Sequence, residues 1–219
     1  MTKDQVRRQI LEVGIVPVIR ASSVQKAIAA AEAVLKGGIS VVEITMTVPR
    51  AKEAIVELSK NRDLLVGAGT VLTAAAAREC LDAGAHFLVS PGFDLETVKL
   101  AKSEGYLMMA GALTPTEVIA AWSAGSDFVK IFPCSAVGGA SYIKALKGPL
   151  PQIPMIPTGG VNLKTAADFL AAGSAALGVG GELILSSALE SNNQSAITEL
   201  AKQYVAIIKE VHAKKLVTA

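Results

Sequence analysis

"LDAGAHFLVS", residues 81–90, joins the end of one element to the start of another: a helical end, a glycine at 84, then a short apolar run of the kind that forms a buried strand. The phrase recurs as "LKGGISVVEI" (35–44), "KSEGYLMMAG" (102–111), "WSAGSDFVKIF" (122–132) and "LAAGSAALGVG" (170–180). Gly37, Gly84, Gly105, Gly125 and Gly173 fall just past each helix, where a left-handed backbone costs glycine nothing. Between the phrases lie Ala-rich amphipathic segments such as "SSVQKAIAAAEAVLKG" and "TPTEVIAAWSAG". Ser22 or Ser23 and Thr114 suit their N-caps, and Pro115 suits a first helical turn. Strand and helix therefore alternate throughout, with strands expected near 15–20, 41–46, 64–69, 86–90, 106–110, 127–132, 153–157 and 175–179.

Eight such units predict a single domain over residues 1–219, an α/β protein folded as a parallel (β/α)8 TIM barrel. An open doubly wound sheet also alternates strand and helix, but the first turn here, "VIRASS", lacks the Gly-rich dinucleotide fingerprint. Glycine turns come instead after strands seven and eight, where barrels place a phosphate. "SAITELAKQYVAIIKEVHAKK" closes the chain as an amphipathic helix.

Composition narrows the function. Half of the chain, 51%, is hydrophobic, yet no stretch approaches the roughly 20 apolar residues of a spanning helix. The first 20 residues are punctuated by Arg7, Arg8 and Glu12 and lack a signal-peptide cleavage pattern, so no membrane partner is expected. Cys80 and Cys134 are too few for a disulfide framework, which fits a reducing cytoplasm. A net charge of +2 without a basic tract, and 4% aromatic residues, give no reason to expect nucleic acid. His86 and His212 stand far apart with no ligand spacing around them, so no metal and no cofactor is expected.

Polar residues inside strands carry the chemistry. In "SDFVKIFP" (126–133), Phe128, Lys130 and Phe132 share one face of strand six; in strand two, Glu43, Thr45 and Thr47 share a face. If both faces point into the barrel, a lysine and a glutamate meet in apolar surroundings. Burial disfavours an ammonium ion and favours the neutral amine that attacks a carbonyl to form a Schiff base. Glu43 would then move protons beside the imine. Residue type alone leaves open a snorkelling lysine or a purely structural ion pair.

Arg20, ending strand one, suits a carboxylate or phosphate clamp, or is simply an exposed strand-end arginine. "IPTGGVN" (156–162) and "GVGGEL" (178–183) present paired glycines whose backbone N–H groups can approach an anion. Thr70 in "VGAGTVLT" is a hydroxyl donor or a helix N-cap, the latter a role Thr73 also offers. "VSPGF" (89–93) supplies a stiff turn to wall the pocket, and Cys134 has no histidine base beside it.

In order, "VPVIRA", "VVEITMT", "VGAGTVL", "AGAHFLVSPG", "GALTPTEVIAAWSAG", "VKIFPCSAVGG", "YIKALKGPLP" and "PTGGVN" resemble the class I aldolases that cleave 2-dehydro-3-deoxy-6-phosphogluconate and 4-hydroxy-2-oxoglutarate. The resemblance spans nearly the whole chain. It implies a barrel, commonly a homotrimer, acting on a small keto acid: Lys130 forms the imine and Glu43 is the acid/base. It further implies that Arg20 and Thr70 meet the carboxylate end, Thr158, Gly159 and Gly160 line the site, Gly180 and Gly181 help hold a distal phosphate, and Pro91 and Phe132 form apolar walls. Some members carry a carboxylate-binding arginine where this chain has Thr47, with Arg50 three residues on; carboxylate recognition then falls to Arg20 and Thr70, with Thr47 kept among the substrate-binding residues. Members often have serine or threonine in the last glycine turn, and "GGEL" places Glu182 there or one residue beyond it; pointing inward it would repel a phosphate, and pointing outward it would leave phosphorylated substrates accommodated. The products expected are pyruvate and an aldehyde, glyceraldehyde 3-phosphate or glyoxylate. Two alternatives stand beside this reading: a phosphate-binding barrel isomerase or synthase without covalent catalysis, and a non-catalytic sugar-acid-binding barrel.

Overall fold

The computed structural model describes residues 1–218, with side chains through Lys214. After α1 (Lys3–Val13) the chain runs through β1 (Ile15–Ile19), α2 (Val24–Lys36), β2 (Val41–Thr45), α3 (Ala51–Leu58), β3 (Leu65–Gly69), α4 (Ala74–Asp82), β4 (Phe87–Val89) and α5 (Leu95–Ser103). It continues through β5 (Leu107–Ala112), α6 (Pro115–Ala124), β6 (Phe128–Ile131), α7 (Ala140–Lys147), β7 (Met155–Pro157), α8 (Ala166–Ala171), β8 (Leu177–Val179), α9 (Ser186–Glu190) and α10 (Gln194–Thr218). All strand pairs are parallel, in the order β7-β6-β5-β4-β3-β2-β1-β8. The seam between β7 and β8 is closed by a bridge from Thr158 to Gly178 and by the Ala175 N–H donating to the Met155 carbonyl at 2.9 Å. The eight expected strands thus form the expected (β/α)8 barrel.

Strand alternation sorts the apolar side chains into two cores. Val16, Val41, Leu65, Phe87, Leu107, Phe128 and Ile156 fill the barrel interior. Ile15, Val42, Val66, Leu88, Met108, Val129 and Met155, their immediate neighbours in sequence, pack outward against the helices. The N-terminal segment, read above only as lacking a signal peptide, forms α1, started by a capping box of Thr2 and Gln5. Its Val6 and Ile10 pack into the interior cluster at the N-terminal ends of the strands, and the Arg7 guanidinium lies 5.5 Å from the Phe128 ring centroid.

Local signals account for most helix boundaries. Ser23, not Ser22, caps α2 by accepting from the Lys26 N–H, while Ser22 donates to Glu190. Thr114 and Glu117 form a capping box at α6, and Thr73 caps α4, a role that Thr70 does not take. Gly84, Gly105, Gly125 and Gly173 have the expected positive φ. Gly37 does not: its φ is −79°, and Gly38, at +94°, makes the left-handed turn. Gly37 is needed for closeness instead, since a Cβ there would lie 2.4 Å from the Cβ of Ala201 on α10.

Gly67 faces inward from β3, and an added Cβ would sit 2.2 Å from the Phe87 ring. Gly67→Ala should destabilise the barrel by about 1–3 kcal/mol through overpacking, at about 2–4 °C of Tm per kcal/mol for a chain of this size. Adding Phe87→Leu should restore part of the loss, as read from thermal melts of the single and double variants.

Candidate active site

Glu43 follows Val41 by two residues on β2, and Lys130 follows Phe128 by two on β6; both therefore point into the barrel above its apolar floor. In the closed strand order β2 and β6 lie four strands apart in either direction, so the two side chains reach toward each other across the lumen. Lys130 Nζ lies 3.6 Å from Glu43 Oε1, and both residues are buried, at 4% and 2% exposure. Glu43 Oε1 has no hydrogen-bond partner among the described residues. An ammonium–carboxylate pair withdrawn this far from water is a costly arrangement unless geometry compensates it, and a carboxylate oxygen left without a donor is rare in a structural pair. The Lys130 ammonium also faces the half-buried Phe132 ring, 5.5 Å from its centroid.

Glycines make the room for this pair. A Cβ on Gly69 would fall 1.9 Å from Glu43 Oε1, so the carboxylate occupies space that no other residue type at 69 would leave. Gly111, paired in register with Lys130, lets the Pro91 turn approach, since its Cβ would lie 2.2 Å from the Pro91 carbonyl carbon. Ser90 pins that turn by donating to the Gly92 carbonyl at 2.6 Å and accepting from the Gly111 N–H. Gly178 does the same for Thr158, whose Oγ1 would be 2.1 Å from an added Cβ. Thr70, directly after Gly69, holds φ at +58°, a left-handed conformation that costs a β-branched residue about 1–3 kcal/mol. The strained residue stands at the C-terminal end of β3, the end of a barrel where active sites gather. Gly69, Ser90, Gly111 and Gly178 were not singled out as site residues from the sequence; for the three glycines the available signal was their place in the inward-facing alternation of their strands.

The substrate-sized space opens at the C-terminal end of β1, β7 and β8, a cavity of about 220 Å³. Phe132, Thr158, the left-handed Gly159 (φ +92°) and Gly160 (φ +77°), and Gly180 and Gly181 line it. Arg20 enters at the rim, its Nη1 3.4 Å from where a Gly180 Cβ would lie, and Glu182 lines the same cavity. Thr47 is placed elsewhere, in a neighbouring cavity with Ser22 and Glu190 that shares Arg20 with the first. Thr45 donates its one hydroxyl proton to the Ile19 carbonyl, so the 2.7 Å contact between Thr45 and Thr47 is a donation from Thr47. Arg50 is turned outward and paired with Glu53 at 2.9 Å. Cys134 is buried beneath the site, and burial pushes its thiol up to about 11, which keeps it from serving as a thiolate nucleophile.

Comparison with known proteins agrees with this geometry. The family model for the KDPG and KHG aldolases matches residues 6–200. The chain is 36% identical over 209 residues, 95% of its length and 99% of the relative's, to the 2-dehydro-3-deoxy-phosphogluconate aldolase of Haemophilus influenzae. It is 34% identical to the KHG/KDPG aldolase of Escherichia coli K12, over 87% of this chain and 90% of that one. A crystal structure of the Legionella pneumophila KDPG aldolase, with pyruvate captured as a covalent carbinolamine, superposes with a TM-score of 0.84 at 32% identity, covering 90% of this chain and 97% of that one. Fold, buried pair and nearly full-length similarity converge: the chain belongs to the KDPG and KHG aldolase family.

Proposed function

We propose that this protein is a Schiff-base aldolase that cleaves a 2-keto-3-deoxy sugar acid phosphate, 4-hydroxy-2-oxoglutarate, or both, into pyruvate and an aldehyde, through one barrel domain spanning residues 1–219. The observation that carries the reading is the buried Lys130 Nζ, 3.6 Å from a Glu43 oxygen that has no other partner. The Lys130 amine adds to C2 of the keto acid, giving a carbinolamine that loses water to the iminium. Glu43 then accepts the proton of the C4 hydroxyl as the C3–C4 bond breaks, the electron pair passing into the iminium to leave an enamine. The aldehyde, glyceraldehyde 3-phosphate or glyoxylate, departs; C3 is protonated, and hydrolysis frees pyruvate and Lys130. Arg20 and Thr70 hold the carboxylate end, with Thr47 acting only through the cavity next door. Phe132 and Pro91 wall the reacting carbons, and Thr158 with the glycine pairs 159–160 and 180–181 surrounds the rest of the substrate.

The same reading extends to assembly and location. Leu72, Phe93, Leu95 and Ile119 are apolar yet 36–60% exposed over the β3 to β6 sector, which supports the homotrimer. Cys80 and Cys134 are both free and buried, in keeping with a reducing cytoplasm. Among the described residues no helix is long and apolar enough to cross a membrane.

Borohydride reduction in the presence of pyruvate should leave a three-carbon adduct at Lys130, located by peptide mass spectrometry. Lys130→Arg keeps the charge opposite Glu43 and should show neither adduct nor pyruvate release; turnover in that variant would rule out covalent catalysis. Glu43→Gln should retain the folded barrel but lower kcat by roughly 100- to 10,000-fold, measured with a coupled pyruvate assay. Sedimentation equilibrium should return three times the 22.5 kDa chain mass, and Phe93→Glu should shift the distribution toward smaller species.

A further inference from the structure

Within the proposed aldolase reading, we propose that Glu182 is a specificity-determining residue: it tunes substrate choice by the charge of the end farthest from Lys130, lowering the preference for a phosphate monoester relative to a hydroxyl-bearing tail. The cavity beside Lys130 has one cationic side chain in its lining, Arg20, and one anionic side chain, Glu182. They flank the same glycine turn, Arg20 against Gly180 and Glu182 directly after Gly181. A 2-keto-3-deoxy acid brings a carboxylate of its own next to the reacting C2. If Arg20 answers that carboxylate, a terminal phosphate is left with the bare backbone of the glycine turns and with a carboxylate facing it.

Glu182 is available for this task. Glu182 is exposed, and among the described residues it makes no hydrogen bond or ion pair, whereas Glu79, Glu104 and Glu190, exposed like it, are each tied to a cation. Lys164 shares with Glu182 a second, outer cavity beside Leu185 and Leu200, but does not line the inner one. Glu182 therefore borders both spaces, and its field reaches α10 on the outer side of the barrel. The phenol of Tyr204 there is pushed up, by burial first and by the negative charge of Glu182 second, and its hydroxyl has no partner. Glu182 is exposed, so its repulsion of a second anion is screened by solvent and salt, yet it still discriminates, because a carboxylate accepts hydrogen bonds from sugar hydroxyls at no such penalty. Thr158, Gly159 and Gly160 of the adjoining turn after β7 add a hydroxyl and backbone groups, which suit a polyol tail as well as an anion.

The test compares kcat/KM for a 2-keto-3-deoxy hexonic acid bearing a free C6 hydroxyl with that for its 6-phosphate, in the parent chain, Glu182→Gln and Glu182→Asp. Glu182→Gln should raise the ratio of phosphate to free acid roughly ten-fold or more, mainly through KM, and Glu182→Asp should keep the parental ratio. The effect should shrink as salt is raised. An unchanged ratio in Glu182→Gln overturns the proposal. Borohydride trapping of pyruvate is read in parallel: a Glu182→Gln chain that no longer traps pyruvate while the parent does would place Glu182 at the Schiff-base centre and equally overturn its assignment to the tail. A parent chain that traps no pyruvate removes the aldolase reading itself, and this inference with it.

Discussion

The barrel is organised around two opposite charges held across its axis. Lys130 and Glu43 come from strands on opposite sides of the closed sheet and meet where water is nearly absent. Removing either partner from such a pair would strand a buried charge, at a cost of about 3–5 kcal/mol. Replacing both with apolar residues would be far less disruptive, so stability alone does not explain why the pair is there. The missing hydrogen bond at Glu43 Oε1 sharpens the point. A structural carboxylate is normally saturated with donors, and this one is left open beside a lysine.

That pair dictates much of the surrounding architecture. Below it, the interior is filled by large side chains from alternate strand positions and sealed by Val6 and Ile10 of α1. At its level and above, the inward positions turn to glycine: Gly69 clears the carboxylate, Gly111 admits the Pro91 turn, and Gly178 admits Thr158. A barrel interior is ordinarily a packed core, and here the change from bulky to absent side chains along the same strands converts its upper part into a reaction chamber. The left-handed Thr70 belongs to this rim, with backbone strain stored beside the glycine that faces Glu43.

Electrostatics divide the chamber. The ion pair of Lys130 and Glu43 lies at the inner end, and Glu182 borders the cavity at the outer end, with Arg20 beside the same glycine turn. Membership of the KDPG and KHG aldolase family accounts for the inner end, where carbon–carbon chemistry requires an amine and a proton carrier. It does not by itself account for an unpaired carboxylate at the outer end, because the chemistry at C2 to C4 is indifferent to what the far end of the substrate carries. On the proposed reading, reaction type and substrate choice are set by different residues, Glu43 on β2 and Lys130 on β6 for the one and Glu182 in the turn after β8 for the other.

Much of this was legible in the chain. The repeated helix-glycine-strand phrase determined eight βα units, because the left-handed turn after a helix is a local property of the backbone and glycine announces it. Period-two alternation placed Lys130 with Phe128 and Phe132, and Glu43 with Thr45, on common faces for the same local reason. Gly37 shows where local reasoning stops: its neighbour makes the turn, and Gly37 is required by Ala201, more than 160 residues away. The plugging role of α1, the placing of Thr47 beside Arg20, Ser22 and Glu190 and the clearance at Gly69, Gly111 and Gly178 are likewise distances between elements that only closure of the sheet brings together. The sequence by itself determined the order of elements and the chemical types available, since these follow from nearest neighbours along the backbone. Which charges face each other, and which glycine leaves room for which side chain, was decided only by the tertiary structure, since both depend on the diameter and register of a closed barrel.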